Sequence, residues 1–240
     1  MNDELTVNEI YLSLQGESTY SGMPCIFIRL TGCNLRCSYC DTVYAFKEGE
    51  RMSLDQILAK VDEFARRYPE IQKPVVELTG GEPLLQHNTP ALVDRLIEED
   101  FEVLIETSGA HDISKVSDKA CRIMDLKCPS SGESDRMLWS NLDHLTWNDE
   151  VKFVIGSHED YEWSRDLVRE KIPTEMCEVL FSWVSPLTHF QKDPCLKPFP
   201  ETHTPISRDR LVDRIIEDAL PVRFQLQMHK FIWPPDERGR

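Results

Sequence analysis

Apolar positions in this chain fall into short runs separated by polar loops, and the period within each run sets the element it predicts. Residues 7–11 (Val7-Asn8-Glu9-Ile10-Tyr11) predict a short strand that enters the polar turn Ser13-Leu14-Gln15-Gly16-Glu17. Residues 24–31, rich in β-branched and aromatic side chains, predict a second strand, with Arg29 as a charge inside it that suits either a solvated edge position or a planar clamp on a carboxylate. Leu54, Ile57, Leu58, Val61, Phe64 and Ala65 then recur at helical spacing behind Ser53. Gln56, three residues after that serine, completes a capping-box pattern. From Pro74 onward the period shortens again, with strands at 75–78, 103–105, 122–126, 151–155 and 178–181. Helical patterns lie between some of these strands, at 91–97 and around 161–170.

Strands alternating with helices imply βαβ units and a parallel sheet. Polar or glycine-rich segments follow the strands: Thr79-Gly80-Gly81-Glu82-Pro83, Glu106-Thr107-Ser108-Gly109, and 127–133 after Asp125. In barrels and open α/β sheets that edge is where active sites assemble. The expected fold is therefore α/β, an incomplete (β/α) TIM-like barrel of about six parallel strands, with residues 1–240 as one domain. A closed eight-unit barrel is disfavoured, because about 250 residues is its usual size and much of this chain is loop. Residues 185–206, punctuated by Pro186, Pro194, Pro198, Pro200 and Pro205, predict a long loop, either a lid over the site or a disordered segment. Ser207 caps a further amphipathic helix carrying Leu211, Ile215 and Ile216, and 222–227 predict a last strand.

Charge narrows the functional classes. The 27 basic and 42 acidic side chains give a net charge of −15. That excess disfavours a nucleic-acid surface, while a local positive pocket for a small anion stays compatible with it. Met1-Asn2-Asp3-Glu4 lacks the basic and apolar parts of a signal peptide, and no apolar run approaches the ~20 residues that span a bilayer. The expectation is a soluble, cytoplasmic protein with no membrane contact. Eight cysteines in such a chain point to metal chemistry or free thiols, not to a disulfide framework. Cys121, Cys128, Cys177 and Cys195 are read as structural thiols.

Three other cysteines, Cys33, Cys37 and Cys40, stand at C-x3-C-x2-C spacing, which lets a tight loop turn them toward one centre. Three ligands are one fewer than usually close a zinc or iron–sulfur site. A zinc knuckle with a distant fourth ligand, buried reduced thiols, and a [4Fe-4S] cluster with one open iron all fit the spacing alone. Companion motifs favour the cluster. The loop, with an aromatic before its last cysteine and Thr79–Pro83 downstream, resembles the radical S-adenosylmethionine (SAM) enzymes. Ser13–Glu17, Phe27–Leu30, Gly32–Cys37, Cys40-Asp41-Thr42, Glu106–Gly109, Asp125–Glu133 and Gln227–Lys230 resemble, more narrowly, the 7-carboxy-7-deazaguanine synthase family, over nearly the whole chain.

That resemblance implies conversion of 6-carboxy-5,6,7,8-tetrahydropterin to 7-carboxy-7-deazaguanine with loss of ammonia, in queuosine and 7-deazapurine biosynthesis. It implies a [4Fe-4S] cluster on Cys33, Cys37 and Cys40, SAM, and a Mg2+ ion on Thr42. Leu14, Gln15, Gly16, Arg29, Thr79, His229 and Pro235 would meet the pterin, with Arg29 on its carboxylate. Tyr39, Asp41, Gly81, Ser108, Asp125 and Lys127 would line the SAM site. A reductant such as flavodoxin or ferredoxin, and a homodimer, complete the picture. Two features depart from the family pattern. Some members end after the proline matching Pro235, whereas Asp236 to Arg240 follow it here; and Asp125-Leu126-Lys127-Cys128-Pro129 replaces a Ser-Pro-Lys sequence. The competing readings are an activase of glycyl-radical enzymes and a metal-stabilised binding module without turnover. Arg29 and the Ser13–Glu17 turn weigh against the activase.

Overall fold

The computed structural model describes residues 3–234 and 237–239. Its strands are β1 (Glu4–Leu14), β2 (Pro24–Leu30), β3 (Glu50–Ser53), β4 (Val75–Gly80), β5 (Val103–Thr107), β6 (Cys121–Asp125), β7 (Glu150–Ile155), β8 (Glu178–Trp183) and β9 (Arg223–Gln225). Its helices are α1 (Leu54–Ala65), α2 (Thr89–Glu98), α3 (His158–Glu170), α4 (Arg208–Glu217) and the single turn α5 (His229–Ile232). One sheet runs in the order β3-β1-β2-β4-β5-β6-β7-β8-β9. From β2 to β9 every pairing is parallel, while β1 pairs antiparallel with both β2 and β3. The strands expected from the apolar runs are present, and β9 extends the parallel series. Side chains from β1, β2 and β7 line one cavity, so the sheet curls into an incomplete (β/α) barrel.

Alternation of residues along the strands divides the barrel. Outward-facing Ile26, Ile28, Leu78 and Ile105 pack with α1 and α2, and Phe153, Val179 and Phe181 pack with α3 and α4. Inward-facing Cys25, Phe27, Val75, Leu104, Cys121 and Ile123 form an apolar plug. One step further along the same strands the inward positions become Arg29, Glu77, Glu106 and Asp125, joined by Lys152 on β7. Burial therefore closes the N-terminal end, and charge collects at the C-terminal end.

Several expectations need correction. β1 runs from Glu4 to Leu14, well beyond the 7–11 segment, because its polar positions face the cavity and β3 while still serving the sheet. Between β5 and β6, and between β6 and β7, there is no α-helix among the described residues; 3-10 turns such as Ile113–Lys115, Pro129–Ser131 and Trp139–His144 make the crossings. Arg29 does not sit on an edge, since β2 is flanked by β1 and β4. Ile216 is 71% exposed: Leu211 and Ile215 share the inward row of α4, and the next residue turns about 100° away. Cys195 is exposed in the long loop, whereas Cys121, Cys128 and Cys177 are buried as structural thiols should be.

The capping box on α1 is present: Gln56 N donates to Ser53 Oγ at 3.2 Å, and Ser53 N donates to Gln56 Oε1 at 2.8 Å. Ser53→Ala is expected to lower unfolding stability by about 1 kcal/mol, read as an earlier urea midpoint at unchanged m-value. No shift in the midpoint would mean that the cap contributes nothing.

Candidate active site

A cavity of about 720 Å3 opens at the C-terminal end of the barrel. The cysteine loop forms one wall of it. Gly32 enters the loop at φ +99°, a left-handed conformation that favours glycine. Its N–H donates to the Ala45 carbonyl at 2.8 Å, and its own carbonyl accepts from Glu82 N at 2.7 Å. The segment after β6 clamps the other side. Arg36 N donates to Glu133 Oε1 at 2.6 Å, and Ser38 binds the Ser130 and Ser131 carbonyls at 2.7 and 3.1 Å.

Cys33, Cys37 and Cys40 all line the cavity. Burial pushes their thiols up, Cys37 to about 12 and Cys40 to about 11, with Lys127 acting in the opposite sense on each. No three His, Cys, Asp or Glu side chains among the described residues are gathered for a single metal ion. A cluster spreads its thiolates wider than one ion does, and it needs soft sulfur donors with a cationic neighbour to offset their charge. The loop supplies the sulfurs and Lys127, just after β6, the positive charge, so the donor set fits a [4Fe-4S] group.

Buried polar atoms next to the loop are consistent with a second ligand. Tyr39 OH and Asp125 Oδ1 are buried with no hydrogen-bond partner, an arrangement that needs an explanation. Asp125 Oδ2 accepts from Lys127 Nζ at 2.6 Å. Burial alone would lower the Lys127 ammonium, but Asp125 and then Cys37 hold it above its ordinary value. Ser108 N donates to the fully buried Glu82 at 2.7 Å, and Thr107 Oγ1 donates to it at 2.9 Å. The Glu82 of the glycine motif thus ties the end of β5 to the end of β4.

At the other end of the cavity the Arg29 guanidinium donates to Glu9 Oε1 at 2.8 Å and to Tyr11 OH at 3.1 Å. Tyr44 OH donates to the same Glu9 oxygen at 3.0 Å. Between the two ends lies a buried charge network. Lys152 Nζ donates to Glu106 and, at 3.1 Å, to Glu17 Oε2, while Gln15 Nε2 donates to Glu77. Burial would raise the Glu17 carboxyl, yet Lys152 and then His229 bring it down to about 2. Burial, and then the neighbouring Glu106, push the Glu77 carboxyl well above its ordinary value.

The structure brings the residues singled out in the sequence to this one cavity: Leu14, Gln15, Gly16, Arg29, Tyr39, Asp41, Thr42, Thr79, Gly81, Ser108, Asp125, Lys127 and His229. Pro235 lies outside the described residues. A Cβ on Gly16 would stand 2.6 Å from His229 Nδ1, so its glycine lets two distant motifs meet. Asp41 pairs with Lys230 at 2.5 Å, and Thr42 Oγ1 donates to Asp41 Oδ1 at 3.3 Å. Phe190, Gln191 and Lys192 of the long loop also reach the cavity, as a lid would. Glu77, Lys152 and Glu9 were not singled out. Their signal was a charge within runs otherwise built of apolar strand formers.

A model of the radical SAM superfamily matches residues 27–174. The chain is 43% identical over 237 residues to the 7-carboxy-7-deazaguanine synthase of Koribacter versatilis (strain Ellin345), covering 98% of this chain and 100% of that protein. It is 37% identical over 239 residues to the 7-carboxy-7-deazaguanine synthase of Chlorobaculum tepidum, covering 98% and 97%. Among solved structures, the crystal structure of QueE from Escherichia coli superposes with a TM-score of 0.70 at 22% identity, covering 94% of this chain and 95% of that one, which supports the fold.

Proposed function

This chain belongs to the radical SAM superfamily and, within it, to the 7-carboxy-7-deazaguanine synthases, and from that premise we propose that it converts 6-carboxy-5,6,7,8-tetrahydropterin to 7-carboxy-7-deazaguanine with release of ammonia, in queuosine and 7-deazapurine biosynthesis. The observation that carries this reading is convergence. A three-thiol loop and a cation-bearing polar pocket share one cavity on a chain 43% identical to a synthase of that name.

Cys33, Cys37 and Cys40 would hold the [4Fe-4S] cluster, and SAM would lie against Tyr39, Gly81, Ser108, Asp125 and Lys127. Bound together, cluster and SAM supply one-electron cleavage of a sulfonium and a radical able to abstract hydrogen. The chain's own tasks are orientation and exclusion of water. Arg29, steadied by Glu9 and Tyr11, directs the substrate's carboxylate. Leu14 and Gly16 offer backbone groups to the pterin edge, and Gln15, anchored by donating to Glu77, stands beside them. Lys152 keeps Glu17 ionised as an acceptor toward the pterin amino and amide N–H groups, and it also donates to Glu106. Thr79 and His229 close the pocket from β4 and α5. Thr42, beside Asp41, offers oxygen to Mg2+, a hard cation that keeps several waters.

The whole chain serves as one domain of a cytoplasmic homodimer, reduced by a carrier such as flavodoxin or ferredoxin. No helix among the described residues is long and apolar enough to cross a membrane. The test is an anaerobic assay of reconstituted protein with SAM, reductant, Mg2+ and the carboxytetrahydropterin, read by product mass. Product is expected from the native chain, and none from a colourless Cys37→Ala variant. Deoxyadenosine beside intact pterin would sink the substrate assignment and leave the radical chemistry standing.

A further inference from the structure

Residues 237–239 line the Arg29 end of the cavity. Glu237 N donates to the Pro234 carbonyl at 3.0 Å, and a Cβ added to Gly239 would stand 4.0 Å from Tyr11 Cβ. Between them the Arg238 guanidinium lies over the Tyr44 ring, 3.9 Å from its centroid. The same ring faces the Arg29 guanidinium at 5.8 Å. Two cations thus share one aromatic side chain, and that side chain also holds Glu9, the partner of Arg29.

The charges here do not balance for an anionic ligand. Glu9 and Arg29 neutralise each other at 2.8 Å, and burial raises the Tyr11 and Tyr44 hydroxyls, so both stay neutral. A carboxylate brought to Arg29 would meet Glu9 with no surplus positive charge to receive it. Arg238 supplies that surplus. Its contact with Glu48, at 2.8 Å, joins side chains 52% and 60% exposed, a solvated ion pair that holds little free energy and exchanges readily. Its guanidinium is always charged and presents a planar fork suited to carboxylate oxygens.

We propose that Arg238 is a second carboxylate-binding residue: when the pterin enters, Arg238 exchanges Glu48 for the substrate's carboxylate and lays residues 237–239 across the cavity as a strap. This deepens the substrate assignment above and rests on it.

Two measurements on the full-length, cluster-loaded protein test the proposal. In steady-state product formation, Arg238→Gln is expected to raise KM about ten- to a hundredfold with kcat nearly unchanged, and Arg238→Lys to fall between it and the native chain. In a binding titration, followed by pterin fluorescence, Arg238→Gln is expected to weaken 6-carboxypterin by a similar factor and leave unsubstituted pterin unaffected. Equal weakening of both ligands, or an unchanged KM, would overturn the proposal. So would the same loss from Lys47→Ala, the exposed cation nearby, with Arg238→Gln silent. If the native chain makes no product and binds neither pterin, it is the substrate assignment that fails. Native turnover with a silent Arg238→Gln defeats the strap alone.

Discussion

Gly81→Ala is expected to yield a folded protein that no longer retains its iron–sulfur cluster. A Cβ at this position would collide with the Gly32 carbonyl oxygen and stand 2.9 Å from the Cys33 Cβ. Neither neighbour is the loose end of a side chain. Gly32 is pinned on both sides, by its N–H to Ala45 at 2.8 Å and by its carbonyl to Glu82 N at 2.7 Å. Gly81 itself donates to the Leu30 carbonyl at 3.2 Å. Relief must therefore come from moving the loop that carries the first cysteine. Overpacking of this kind costs about 1–3 kcal/mol, here concentrated on the geometry of three sulfur donors. That corresponds to roughly a ten- to hundredfold weaker hold on the cluster. Iron content and the visible absorption of reconstituted protein read the loss, and far-ultraviolet circular dichroism shows that the barrel survives. Full iron loading would show that the close approach of β4 to the cysteine loop is not what shapes the cluster site.

That contact also marks where sequence reading reaches and where it stops. The glycine pair could be assigned to a ligand-facing strand end, because its position after an apolar run is local information. Its partner across the sheet could not. The capped helix 54–65 and the strand runs were legible for the same reason: caps and short-range periodicity are written within a few residues. The long crossing from β6 to β7 broke the expected alternation, since 3-10 turns leave no lasting period. Arg29 was recognised, but Glu9 was not. Glu9 faces Arg29 through an antiparallel register with a bulge between Val7 and Glu9, which only the folded sheet reveals. Glu77 and Lys152 were visible as charges in apolar runs. A charge in a strand reports that something unusual faces it, not what does, and Lys152 lies 135 positions from Glu17. The candidate site could thus be read as a set of motifs, while its electrostatic wiring could not.

Lys152→Met tests that wiring. The Lys152 side chain is 3% exposed and stands between Glu17, at 3.1 Å, and Glu106. Methionine keeps much of the volume and removes the charge, leaving two carboxylates face to face beside Glu77. Removing one partner of a buried ion pair costs about 3–5 kcal/mol, so a loss of that order is expected in urea unfolding at pH 7, with the substrate pocket lost alongside. The pH dependence identifies the cause. In the native chain Glu17 is depressed from 4.5 to about 2, so its contribution is present above the unfolded pKa and fades as pH falls from about 4.5 toward 2. Lys152, held above its ordinary value chiefly because Glu106 and Glu17 outweigh burial, contributes below its unfolded pKa and loses that only as pH rises through its folded one. Without Lys152, burial dominates at Glu17 and its folded pKa moves above the unfolded value. The sign then reverses, and the variant gains stability as pH falls through that raised pKa. The gap between native and variant chains should accordingly narrow between pH 7 and pH 5. A pH-independent gap would point to lost packing at residue 152 and would reject the charge network as the source of the effect.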